Sequence, residues 1–160
     1  MCISKSFDNQ KHVIFGSMEQ HFAADYFYLE SIRVKEFSVN YRDVDPRELE
    51  ADINPIILLD LDDSALEMEL RISLFDLGKE VMALDCNFTF IVEEYFWDRD
   101  LGGKTVHLSH AFLTHLLMIA TGTSRGIFHT LKPEWLDGFV LELLDLRDVF
   151  PMDGMRIQVA

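Results

Sequence analysis

Between residues 67 and 93 the chain alternates apolar and polar side chains with period two. Met68, Leu70, Ile72 and Leu74 alternate with Glu67, Glu69, Arg71 and Ser73. After Asp76-Leu77-Gly78-Lys79 the pattern resumes, with Met82, Leu84, Cys86, Phe88, Phe90 and Val92 on one face and Asp85, Asn87 and Thr89 on the other. Successive side chains of a strand point to opposite faces, so these are two strands of a hairpin that share one apolar face. That face must be buried, and the rest of the chain has to supply the cover.

Two further strands precede the hairpin. Residues 26–41, YFYLESIRVKEFSVNY, are aromatic and β-branched, with imperfect alternation. Phe37 and Val39 share one face and Ile32 and Val34 the other, which implies a bulge or burial on both faces. Residues 42–54 are charged, contain Pro46, and read as a loop or short helix. Residues 55–63 form a second strand, with Ile57, Leu59 and Leu61 opposed to Asp60 and Asp62. The loop at 95–104 turns at Gly102-Gly103. A helix is expected over 106–121, with Gly126 as a stop or kink. Its apolar residues lie nearly all round its axis, and one sheet covers only one face, so another helix or subunit must cover the rest. A second helix is expected from Pro133, carrying Trp135, Leu136, Phe139, Val140, Leu143 and Leu144. Strands first and helices afterwards indicate an α+β fold. The divisions are an irregular segment at 1–24, one domain at 25–146 and a tail at 147–160.

Composition narrows the function. The chain has 160 residues, 28 acidic against 14 basic, and a formal charge of −14. Such a chain repels phosphate backbones, so no nucleic-acid partner is expected. Acidity suits basic peptides and keeps exposed apolar surface soluble. Cys2 and Cys86 give neither a disulfide framework nor a metal-ligand spacing, which fits reduced thiols in the cytoplasm. The N-terminus, MCISKSFDNQ, is polar, so no signal peptide is expected. The most apolar stretch, 112–120, is far shorter than the ~20 residues of a membrane span.

Three patterns invite a chemical reading. LLDLDDS at 58–64 resembles the first motif of haloacid-dehalogenase-type phosphatases, in which Asp60 would attack phosphorus and Asp62 would handle the proton, with Mg²⁺ bridging. That family needs a βαβ unit after the motif, whereas a hairpin follows here. On a helix His107 and His110 lie about 60° apart but His115 about 140° from His110, so the three set up no metal site. No cofactor is expected. Asp62-Asp63 and Glu93-Glu94 are adjacent and point to opposite faces of a strand, which suits no paired acid–base work. The aromatics are more informative. Phe22, Tyr26, Phe27 and Tyr28 precede the strand pattern, and Tyr95, Phe96 and Trp97 follow it. A small sheet cannot bury them all, and an apolar patch with an acidic rim is what a polypeptide-binding surface needs.

Four segments, in this order, resemble the SecB family of chaperones. IRVKEFSV at 32–39 is similar to the family's I-x-x-K-D-I-S-F run, and PIILLDLDD at 55–63 to P-x-V-x-L-D-L-D. EMELRIS at 67–73 is similar to E-V-x-L-R-V-T, and TSRGIFHTL at 123–131 to S-R-G-x-F-P-x-L. The resemblance implies a four-stranded antiparallel sheet, a crossover loop, a long helix behind the sheet, a second C-terminal helix and a homotetramer built as a dimer of dimers. It implies a non-enzymatic holdase that works without ATP and binds unfolded polypeptide in grooves at Phe22, Tyr26, Phe27, Tyr28, Tyr95, Phe96 and Trp97. Glu36 matches an acidic position that touches the motor SecA, and Asp60, Asp62 and Asp85 are candidate partner contacts beside it. Asn40 stands where a second acidic residue would be, and the tail PMDGMRIQVA is unlike the family's SecA-contacting end. These departures favour a dedicated antitoxin client, as in SecB-like chaperones of toxin–antitoxin systems, over preproteins handed to SecA.

Overall fold

The computed structural model describes residues 27–40, 44–93, 98–99, 103, 105–141, 146 and 149–158. Four strands, β1 (Phe27–Val39), β2 (Glu50–Asp60), β3 (Ala65–Asp76) and β4 (Lys79–Val92), form one antiparallel sheet in the order β1-β4-β3-β2. A smaller sheet, β5-β6-β7, joins β5 (Asp98–Arg99), β6 (Thr105–Leu108) and β7 (Met155–Gln158). One long helix, α1 (His110–Leu131), lies on the central strands β3 and β4.

The β3–β4 hairpin is the core of the molecule. Leu66, Met68, Leu70, Ile72 and Leu74 meet Phe90, Phe88, Cys86, Leu84 and Met82 across the pair, and all ten are buried. The helix buries Phe112, Leu113, Leu116, Leu117, Ala120 and Phe128 among the core side chains. The Ser109 hydroxyl caps its start by accepting from the Phe112 N–H, which satisfies a donor the first turn leaves free.

Several elements differ from the sequence reading. In β1 the register slips between Leu29 and Ser31 and again between Val34 and Glu36. These two bulges turn Phe27, Leu29, Ile32, Val34, Phe37 and Val39 to one face, opposite the buried residues of β4. Of the two expected explanations, a bulge is the one found, and it brings Ile32 and Val34 to the face of Phe37 and Val39, since each bulge adds one residue and resets the period. Strand β2 begins at Glu50, inside the expected loop, after a single 3-10 turn at Pro46–Glu48. Pro55 sits within it because β2 is an edge strand, where a missing N–H can face solvent.

Residues 105–108 are strand, so His107 is not on the helix at all. The helix also runs through Gly126, which does not stop it. A helical Gly costs about 1 kcal/mol relative to Ala, and Ser124 and Phe128, both fully buried on either side of it, hold that turn against the sheet. At 133–141 the described residues form only a 3-10 turn, Glu134–Leu136. The Lys132 ammonium explains the departure. It donates to the carbonyls of Leu136, Asp137 and Phe139 at 3.1–3.2 Å, holding the chain in a loop that an α-helix would forbid. Leu143 and Leu144 lie outside the described residues.

Candidate functional site

The outer face of the large sheet, opposite α1, is polar and networked. Arg71 is its centre. It donates to Asp85 (2.7 Å), to both carboxylate oxygens of Glu80 (3.0 Å) and to Ser73 (3.3 Å), and Ser73 donates in turn to Glu80 (2.9 Å). Partial burial raises the Glu80 carboxyl, but the Arg71 and Ser73 hydrogen bonds and the Arg71 charge outweigh it and hold Glu80 below the usual carboxylate range. A carboxylate with a lowered folded pKa stabilises the fold above its unfolded value, and this contribution fades as pH falls through the folded value. Wild type is therefore expected to exceed Glu80→Gln in urea stability at pH 7, by about 1 kcal/mol or less for so exposed a pair. The margin should begin to shrink near pH 4.3, the ordinary glutamate range, and close below the lowered folded value. An equal margin at pH 7 and pH 3.5 would show that the network does not couple to the fold.

Glu36 lies directly opposite Asp85 and its charge acts on Arg71, so these two acidic positions come together. Asp60 and Asp62 do not join them. Asp60 shares its cross-strand row with Ala65 and Ile91, six residues along β4 from Asp85, or roughly 20 Å at ~3.3 Å per residue. The Asp60 carboxylate accepts from the N–H groups of Asp62 and Asp63 and caps the β2–β3 turn, in which Ser64 has φ 53°. The D-x-D motif therefore closes a hairpin, and no βαβ unit follows it. Among the described residues no three His, Cys, Asp or Glu side chains converge on a metal position. Burial pushes the Cys86 thiol up.

Apolar side chains break this surface in three places. On the outer face Ile56 and Leu58 are 51% and 48% exposed, beside Glu69 and Glu67. On the flank next to α1, Ile32 and Val34 face the core side yet are 43% and 42% exposed. A helix about 10 Å wide covers roughly two strands at ~4.8 Å spacing, so edge strand β1 is left partly bare. The His115 ring packs 5.6 Å from that of Phe27, which turns the exposed helix stripe of His115, Met118 and Gly122 toward the same flank. Third, a cleft of ≈570 Å³ lies between Pro46, Arg47, Leu49 and Ala51 on one side and Phe139 and Val140 on the other.

Of the aromatic positions expected to bind polypeptide, Tyr28 is exposed on the outer sheet face. Phe27 corrects that expectation. It is 8% exposed and packs edge-on against Phe90 and Phe112, because its neighbour in the alternation takes the outer face. Phe22, Tyr26, Tyr95, Phe96 and Trp97 lie outside the described residues. Ile56 and Leu58 carry no site expectation from the sequence, and Val140 only a place on the stripe of the expected second helix. Ile56 and Leu58 stand on the polar side of an alternating strand, and that was the available signal. No helix of the described residues is long and apolar enough to cross a membrane.

No family model and no curated protein matches the sequence. Among solved structures, the chain is similar to the Mycobacterium tuberculosis SecB-like chaperone Rv1957, in complex with a ChAD peptide from the Rv1956 HigA1 antitoxin. The match spans 76% of this chain and 93% of that one, with a TM-score of 0.55 and 17% identity. The fold is thus the SecB-like α+β fold, with its four-stranded antiparallel sheet and long helix.

Proposed function

We propose that this chain, having the SecB-like fold, is a chaperone that holds non-native polypeptide without ATP and is not an enzyme. The observation that carries the reading is the likeness in fold, over 76% of this chain and 93% of the other, to a SecB-like chaperone solved with an antitoxin peptide. Apolar side chains set in an acidic surface support it. Each contributes by burying client apolar area, worth about 25 cal/mol per Å², while ordering an extended client opposes binding, so many weak contacts act together. The contacts proposed are Phe22, Tyr26, Tyr28, Tyr95, Phe96 and Trp97.

The client we favour is an aggregation-prone antitoxin. The neighbour's peptide supports this, as do the departures from the SecA-contacting pattern at Asn40 and in the tail. Glu36 and Asp85 are the acidic pair proposed for a partner, whereas Asp60 is occupied as a turn cap. The working form proposed is a homo-oligomer, a tetramer by analogy, closed over the flank of Ile32, Val34 and Met118, and cytoplasmic.

The test is suppression of client aggregation with no nucleotide present. Replacing Tyr95, Phe96 and Trp97 together by Ser should weaken client binding about 10–100-fold, as loss of interface aromatics does, and leave the oligomer intact. Aggregation that proceeds unchanged with the wild-type chain would overturn the chaperone reading. Unchanged affinity in the triple variant would move the binding surface elsewhere.

A further inference from the structure

Strand β7 pairs with one short strand, β6, and Phe150 ahead of it is buried in the core. Thr105, Val106, His107 and Leu108 pair with Gln158, Ile157, Arg156 and Met155, and the small sheet ends there. Met155 and Ile157 are half-buried against the core cluster, while Arg156 and Gln158 are exposed. Ahead of the strand, the Gly154 N–H donates to the Pro151 carbonyl (2.9 Å) and reverses the chain. His107 Nε2 donates to the Asp153 carbonyl (2.9 Å) and His110 Nδ1 to the Pro151 carbonyl (3.2 Å). These are main-chain and apolar contacts, which read an extended shape rather than a sequence. The same β6 edge would accept any segment with apolar residues at alternate positions.

We propose that the β6 edge is a receptor for an extended polypeptide segment, and that β7 is its tethered occupant, displaced when a client strand binds. The inference rests on the chaperone reading and names the form in which a client is held: a strand with apolar side chains at i and i+2 and polar or basic side chains between them. Arg156 is the basic outward residue in the resident strand, and the chain around it carries a net charge of −14, so basic outward residues are favoured in a client. A tethered competitor lowers apparent client affinity by the fraction of time it leaves the site open.

Two full-length variants move the occupant in opposite directions. Gly154 has φ +80°, and a Cβ there would fall 2.2 Å from the Leu108 carbonyl oxygen, so Gly154→Ala releases β7. Thr105 and Gln158 are direct cross-strand partners, so Thr105→Cys with Gln158→Cys, in a Cys2→Ser, Cys86→Ala background, locks β7 when oxidised. The probes are a reduced, carboxymethylated protein as client and a labelled peptide of residues 149–158. Gly154→Ala should bind the client about tenfold tighter, the factor expected if β7 fills the edge about nine-tenths of the time, and should bind the peptide. The oxidised lock should lose both, and reductant should restore them. Equal client affinity for the oxidised and reduced lock overturns the receptor and leaves the chaperone reading standing. Peptide binding to Gly154→Ala, with no client bound by any form, supports the receptor and defeats the chaperone reading. If Gly154→Ala does not fold, the lock alone decides.

Discussion

Phe128→Ala is expected to lower stability by about 3–5 kcal/mol, the usual cost of removing a buried aromatic, and to loosen the segment that follows the helix. Phe128 is fully buried. Its ring packs edge-on against Phe139, with centroids 6.1 Å apart, so it ties the last turns of α1 to the loop at 133–141. Lys132, bonded to three of its carbonyls, also holds the loop. A domain of this kind is stable by about 5–15 kcal/mol in total, so the variant should show a clear fall in its urea midpoint. Hydrogen exchange should quicken at 133–141 beyond its rise elsewhere. Leu131→Ala, at a helix position 40% exposed, should shift stability by no more than about 0.5 kcal/mol. A Phe128→Ala chain as stable as Leu131→Ala would mean that α1 ends near Gly126, as its sequence suggests, and that Phe128 lies outside the core.

That alternative shows where the sequence was legible and where it was not. The β3–β4 hairpin could be read because period two is imposed by the pleat and runs unbroken from Leu66 to Leu74 and from Met82 to Val92; its register shifts only near the turn, between Leu74 and Phe75, and even the turn pair, Asp76 with Lys79, stands as expected. The bulges of β1 could only be suspected. A one-residue insertion leaves no composition signal at Glu30 or Lys35, and it reverses the face of every residue after it. Helix length was misread because local signals lost to packing. Gly126 is a poor helix residue, but stopping there would leave Phe128 outside the core. The second helix failed for the opposite reason, since Lys132 satisfies carbonyls that a helix would have paired with its own N–H groups. Of the candidate surface, the polar face of β4 that carries Asp85 could be read from sequence, whereas its pairing with Glu36 depends on the bulged register of β1. Phe27 could not be placed, because adjacent residues on a strand share composition but not a face. The half-exposed Ile32 and Val34 were invisible, since only the helix's position over β3 and β4 leaves them bare.

Val34→Glu is expected to break the proposed oligomer into folded 18.6 kDa monomers. Val34 faces the core side of edge strand β1 but is 42% exposed, with Ile32 beside it at 43% and Met118 of the helix at 59%. Apolar side chains that a sheet turns toward its own core, and that its own helix fails to reach, call for a second copy to cover them. A glutamate there would be buried without a counter-charge in each copy, against a partner that already carries a formal charge of −14. An unpaired charge at the centre of an interface costs several kcal/mol, and about 4 kcal/mol weakens association about a thousandfold. Within the monomer the same side chain reaches solvent, so the fold should survive with an unchanged circular dichroism spectrum. Leu58→Glu is the matched control. It has similar exposure, 48%, on the opposite sheet face, and it should leave the oligomer's mass unaltered. Light scattering at micromolar concentration separates the outcomes. Dissociation by Val34→Glu alone supports the flank as the interface. Dissociation by Leu58→Glu alone would move assembly to the outer face and take Glu36 and Asp85 into it. A wild-type chain that is itself a monomer would remove the oligomer altogether, and Ile32, Val34 and Met118 would then stand open as further apolar surface for a client.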